Sequence, residues 1–226
     1  NNCNLTKLEY NSYFVIISKN PFRIINTVYD DLSLNEDCIT LLCKYKLLHY
    51  KFNIYESFDG ILMNACYINN NWLFFTPNTT DIINNELLLS RCINIKKLKE
   101  NLRQHVIYTF FIVDYRLNTI INYSERFGEQ YSIIYHISSK LDNIYLDISD
   151  QILKPYGIQY REKIDSFTML VNNETNTLNP LYKGLEVEID IDNKKSLFIL
   201  DTYDFKYALK LKPDLNKYKT FIRLYQ

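Results

Sequence analysis

The sequence predicts an α+β fold, with antiparallel sheets and flanking helices. Three observations predict it. Short runs rich in Ile, Tyr, Phe and Val recur from end to end of the 226 residues. These runs follow one another without the regular crossover helices of a parallel sheet. Helical patterning is confined to a few segments. No internal repeat, low-complexity linker or charge block interrupts the chain, so a single domain over residues 1–226 is expected.

Residues 12–19 (SYFVIISK) read as a strand. Residues 34–47 read as a helix, because Ser33 can cap it and Glu36 and Asp37 fall in its first turn. Residues 50–58 and 60–76 are dense in β-formers, and Asn69-Asn70-Asn71 between ILMNACYI and WLFFT reads as a hairpin turn. Residues 84–103 read as one helix carrying Leu87, Leu88, Leu89, Leu98 and Leu102. Its basic end, with Lys96, Lys97, Lys99 and Arg103, is accounted for by cations favouring a helix C-terminus. Strands are expected at 106–113, 118–123, 130–137, 143–148, 184–191, 196–201 and 206–212, with short helices around 149–156 and 161–166.

Apolar residues at 47% are ample for a core. Lys plus Arg equals Asp plus Glu at 26 each, which excludes a globally basic nucleic-acid binder but not a local basic patch. There is no run of about 18 apolar residues, so no membrane association is expected. The opening NNCNLTKLEY does not read as a signal peptide, and because it starts on Asn1 rather than methionine, whether the true N-terminus is missing is left open. Cys3, Cys38, Cys43, Cys66 and Cys92 form no CxxC pair and no ligand cluster with His49, His105 or His136. Neither a metal site nor a disulfide framework is therefore expected, and the reading is of reduced thiols in a cytoplasmic protein. Sequons at Asn4, Asn78, Asn122 and Asn173 would suit secretion, but Asn is abundant enough for chance sequons. The bias toward Asn, Ile and Tyr and away from Ala reflects an AT-rich coding sequence, as in a virus, a selfish plasmid or an AT-rich microbe.

Three segments carry more than secondary structure. The first is Tyr55-Glu56-Ser57-Phe58-Asp59-Gly60-Ile61-Leu62, followed by Trp72-Leu73-Phe74-Phe75-Thr76. The second is Tyr108-Thr109-Phe110-Phe111-Ile112, followed by Asn118-Thr119-Ile120-Ile121-Asn122-Tyr123. The third is Lys183-Gly184-Leu185-Glu186-Val187, then Leu209-Lys210-Leu211-Lys212. In order and spacing they resemble the motifs of phage-type RNA ligases, which belong with DNA ligases and mRNA capping enzymes to the covalent nucleotidyltransferases. The resemblance runs over about residues 55–218 and implies a nucleotidyltransferase (RNA ligase-like) core. Of only four glycines, Gly60 and Gly184 fall where the family pattern has glycine. Such positions need backbone freedom or a close approach.

The departures from the pattern decide the functional expectation. The family's lysine attacks the α-phosphate of ATP or GTP and forms a lysyl-nucleotide; here that position is Ser57. A serine has neither the amine's reach nor its phosphoramidate chemistry. Lys51, six residues upstream, would stand about 20 Å away on a strand. The basic residue expected after the Trp72 strand falls at Pro77, and the acidic residue of the second motif at Ile112. Asp114 shares the face of Ile112 but stands about 6.6 Å along the strand. The glutamate preceding the third motif's glycine is Lys183, a charge reversal. Loss of the nucleophile together with metal-organising carboxylates reads as an abandoned active site.

The resemblance therefore implies a catalytically inactive protein with no cofactor and a vestigial nucleotide pocket at Ser57, Asp59, Gly60, Ile112, Lys183 and Gly184. On a strand, Lys210 and Lys212 would project together from one face and suit a phosphate. The chain ends fourteen residues after Lys212 and is read as the core without the family's C-terminal accessory domain. The expected function is binding. The partner is either RNA or tRNA, or a protein such as an RNA-cutting toxin that an immunity or antitoxin factor would neutralise. Two alternatives stay open: an active ligase or nucleotidyltransferase with displaced residues, and an unrelated structural or virion protein. A metal-independent ribonuclease using His105 or His136 with Glu9 finds no support in the spacing. Trp72 reads as packing rather than a base-stacking platform. The oligomeric state is left open.

Overall fold

The computed structural model describes residues 5–10, 13–19, 22–25, 31–33, 52–76, 82–117, 119–141, 144–146, 153–164, 183–191 and 194–211. The chain divides into two compact units. The first comprises Asn1–Asp30, Gly60–Tyr115 and Gln130–Arg161; the second comprises Asp31–Asp59, Arg116–Glu129 and Glu162–Gln226.

The first unit holds two sheets. One is an antiparallel meander of β1 (Leu5–Tyr10), β2 (Tyr13–Lys19) and β3 (Phe22–Ile25). The other has six strands: β6 (Ile61–Ile68), β7 (Asn71–Phe75), β8 (Ile107–Asp114), β9 (Ser132–Leu141), β10 (Ile144–Tyr145) and β11 (Ile158–Tyr160). Their order is β10-β9-β8-β6-β7, with β11 parallel beside β9. Both faces of this sheet are covered by apolar side chains. Met63, Ala65, Phe110, Ile112 and Ile134 pack on one face with Leu89, Leu98 and Leu102, while Cys66, Ile68, Leu73 and Phe75 form a second cluster. Burial on both faces explains why these strands read as apolar runs rather than strict alternation. The hairpin turn between β6 and β7 forms as expected, with Asn69 and Asn70 at φ 52° and 61°. Asparagine tolerates this left-handed region, which a tight hairpin requires.

The single helix expected over 84–103 is instead two, α1 (Ile82–Cys92) and α2 (Ile95–Asn101). The cause is local. The Asn94 side chain accepts the Lys97 N–H at 3.1 Å and starts a new helix. Leucine spacing does not register such a cap, because Leu89 and Leu98 still reach the same core. Trp72 is buried and donates to the Lys99 carbonyl at 3.0 Å, so it is packing, as expected.

The second unit is built on a four-stranded sheet ordered β4-β13-β12-β5. Its strands are β4 (Asp31–Ser33), β5 (Phe52–Ser57), β12 (Gly184–Ile191) and β13 (Lys194–Asp201). β12 lies antiparallel to both β5 and β13, and β4 runs parallel to β13. Two helices belong to it, α3 (Ser124–Phe127) and α4 (Tyr203–Leu211).

Residues 206–212, expected as a strand, fall largely within α4. Thr202 caps it by accepting the Phe205 N–H at 3.3 Å, and Asp204 lies in its first turn. Leu-Lys-Leu-Lys alternation is only four residues long and does not outweigh a capped start. Residues 119–123 form a loop rather than a strand, held as described below. Residues 161–164 are not helical; Lys163 bridges Tyr55, and Ile164 N–H donates to Ile54 O at 2.8 Å. Of the helix expected over 149–156, Leu153 is helical, and a 3-10 turn, Lys154–Tyr156, follows it and is ended by Gly157 at φ 83°. The helix expected over 34–47 lies outside the described residues. Among the described residues no helix is long and apolar enough to cross a membrane.

Candidate functional site

The motif positions fall into two groups, one in each unit. In the second unit, β5 ends at Ser57 and β12 begins at Gly184, and the two residues stand opposite each other. Glycine is required at 184. Its φ is +149°, and a Cβ there would lie 2.0 Å from the Leu200 carbonyl oxygen. This close approach brings β5, β12 and the end of β13 together at one edge. Thr202 N–H donates to Lys183 O at 2.7 Å and continues the closure past Asp201.

Ser57 is 1% exposed, and its hydroxyl donates to Glu186 Oε1 at 3.4 Å, the long end of a hydrogen bond. Lys183 Nζ donates to the Phe58 carbonyl at 3.3 Å and stands 5.5 Å from the centre of the Phe205 ring. A cation from the neighbouring strand thus sits against the backbone that follows Ser57. Asp59 organises the adjacent loop. Its Oδ2 accepts the Ile120 N–H at 2.5 Å and the Ile121 N–H at 3.3 Å, while its own N–H donates to the Tyr123 hydroxyl at 2.7 Å. Phe58 meets Tyr123 edge-on, and Arg126 lies over Phe58 and pairs with Glu56. Asp59 is therefore a positioning residue, and its capture of two backbone N–H groups is why 119–123 is not a strand.

Asp201, opposite Gly184, was not singled out from sequence. Its Oδ1 is buried without a hydrogen-bond partner. Burial pushes its carboxyl above the usual aspartate range; Lys183 and Lys206 oppose the shift, and Glu186 and Asp59 add to it. A carboxyl raised in this way favours the folded state fully below the unfolded pKa, and that contribution is lost as pH rises through the raised value. Asp201→Asn is expected to stabilise the protein at pH 7 by up to about 1 kcal/mol, given the group's partial exposure. The gain should vanish below about pH 4. Urea midpoints of the two proteins at both pH values check this.

In the first unit, Gly60 and Ile112 come together. A Cβ on Gly60 would lie 2.3 Å from the Ile112 carbonyl oxygen, so this glycine too is demanded by a close backbone approach. The Ile112 side chain is fully buried in the core cluster, where the resemblance has a carboxylate. Asp114 is fully buried and accepts from Ser132 Oγ at 2.7 Å.

Lys210 is exposed on α4, and Lys212 lies outside the described residues. Because 203–211 is helical, Lys210 does not stand on the strand expected there. His136 is buried, bonded to Ser139 Oγ at 2.8 Å and set against the Phe110 and Tyr160 rings; His105 is exposed. Cys66 is buried, and Cys92 is half-buried and donates to the Leu88 carbonyl at 3.4 Å. Among the described residues no three His, Cys, Asp or Glu side chains gather as a metal site. Glu186 was quoted in a motif but given no role; its place two residues past Gly184 was the available signal. Asp201 had none, because only strand register places it.

No protein-family model and no curated protein sequence matches the chain. Solved structures do. A putative ATP-dependent DNA ligase from Aquifex aeolicus superposes with a TM-score of 0.52 at 14% identity, over 98% of this chain and 67% of that one. An archaeal ATP-dependent RNA ligase superposes with a TM-score of 0.53 at 12% identity, over 98% of this chain and 66% of that one. The protein thus has the nucleotidyltransferase fold of the ATP-dependent ligases, and it spans about two thirds of the length of these two. Within that class the fold is RNA ligase-like, and at these identities the likeness is one of fold.

Proposed function

We propose that the chain is a catalytically inactive RNA ligase-like protein that acts by binding RNA. One observation carries the reading. Where the resemblance has a nucleophilic lysine, a serine that is 1% exposed is bonded to the Glu186 carboxylate. Nucleotide transfer to the enzyme forms a P–N bond as pyrophosphate leaves. A buried hydroxyl lacks the amine for that bond, and a serine phosphodiester would lack the lability of a phosphoramidate. RNA is favoured as partner by the ligase fold and by exposed lysines such as Lys206 and Lys210 on α4.

A second reading rests on Lys183, whose ammonium reaches the Phe58 carbonyl and could be a displaced nucleophile. Against it, the contact uses Lys183 as a donor, whereas attack needs its lone pair. Intact-protein mass spectrometry after incubation with ATP or GTP and a divalent cation decides between them. The expected result is no added mass, both for the native protein and for Ser57→Lys, because Ile112 and Lys183 still replace carboxylates. A gain of one nucleoside monophosphate, abolished by Lys183→Ala, would establish the enzyme instead. No mass gain, no RNA binding and copurification with a ribonuclease would move the partner from RNA to protein.

A further inference from the structure

We infer that the exposed cations Arg91, Lys96 and Lys97 at the junction of α1 and α2, with Arg103 just past the end of α2, contact the phosphate backbone of RNA. The inference rests on the RNA-binding reading above and adds the place of contact. Charge is unevenly distributed along the chain. The whole chain is neutral, yet residues 91–103 carry five cations against one carboxylate, Glu100. Lys99 is accounted for by structure: its ammonium pairs with Glu86 at 2.5 Å and lies 5.6 Å from the centre of the Phe74 ring. The other four are exposed and make no ion pair among the described residues.

Helix electrostatics accounts for two of these four, Arg91 and, directly after the C-cap Leu102 of α2, Arg103. Arg91 lies in the last turn of α1, where a cation is favoured. Lys96 and Lys97 are different. The break at Asn94 places them in the first turn of α2, which has no acidic residue. There the positive end of the helix dipole opposes a cation. Glu100 offers little relief, because a lysine N-terminal to a glutamate at i,i+4 is the weaker orientation. These two ammonium groups are thus retained against the local preference. A polyanion supplies the missing partner. Each phosphate neutralised releases condensed counterions, a gain available to exposed lysines without desolvating anything else.

The test measures binding of a fluorescein-labelled single-stranded RNA of mixed sequence across a salt series, with a thermal scan of each variant. Lys96→Ala/Lys97→Ala is expected to weaken binding and to reduce the slope of log affinity against log salt by roughly 1.4. Lys96→Glu/Lys97→Glu is expected to abolish binding while raising the melting temperature slightly, since acids suit a first helical turn. A merely structural role for the lysines would lower both readouts. If the native protein binds RNA but neither double variant changes the slope, the inference is overturned and the RNA-binding reading stands. The same follows if only Lys206→Ala/Lys210→Ala on α4 changes it. If the native protein shows no salt-dependent RNA binding, the RNA-binding reading fails and this inference fails with it.

Discussion

Gly184→Ala is expected to cost about 3 kcal/mol or more and to leave the second unit largely unfolded at 25 °C. Two independent penalties coincide. The backbone at φ +149° is one that side chains rarely adopt, and the new Cβ would lie 2.0 Å from Leu200 O and 3.0 Å from the Asp201 Cα. Both obstacles are backbone of the adjoining strand β13, so no rotamer change relieves them, and the pairing of β12 with β13 must open. Gly128→Ala is the control. It also has positive φ, at 89°, but a Cβ there meets nothing within 4 Å. Its cost should be about 1–2 kcal/mol, that of conformation alone. Urea denaturation of the two variants checks the contrast. Equal midpoints would show that close approach is not what Gly184 provides.

Asp59→Ala should cost about 2–3 kcal/mol and release the 119–123 loop. The substitution removes one carboxylate oxygen that accepts from two successive N–H groups, and Ile121 is only 2% exposed. A buried N–H without a partner bears the full desolvation cost. Asp59→Asn keeps the shape and one acceptor oxygen, so it should cost about 1 kcal/mol. Hydrogen exchange at Ile120 and Ile121 reads the loop directly: protection should fall sharply in the alanine variant and partly in the asparagine variant. Unchanged protection in Asp59→Ala would mean that Tyr123 and Phe58 hold the loop by packing alone.

The glycines were the most legible part of the site. In a chain with four of them, Gly60 and Gly184 stood out against an otherwise glycine-poor background, and each proves to be pressed against a carbonyl. The substitutions at 57, 112 and 183 were equally legible, because a missing amine or carboxylate is a matter of identity rather than geometry. The helix at 203–211 was not legible. Its first turn depends on the Thr202 cap, whose backbone is in turn placed by the bond from Thr202 N–H to Lys183 O. Nor was the loop at 119–123, since the group that removes its N–H donors lies 61 residues upstream.

The α+β class, most of the strands, the hairpin at Asn69-Asn70 and the chemical identity of the altered motif positions were legible from residue order. These depend on periodicity, turn chemistry and residue type, all of which are local. Tertiary packing placed Ser57 against Glu186, tied a distant loop to Asp59 and set the half-buried Asp201 within reach of the charges of Lys183 and Glu186. The fold also gave Lys96 and Lys97 an unfavourable helical turn. The strand contacts arise from register, which pairs residues more than a hundred positions apart. The turn arises from a single cap at Asn94, which the leucine pattern running through it does not reveal.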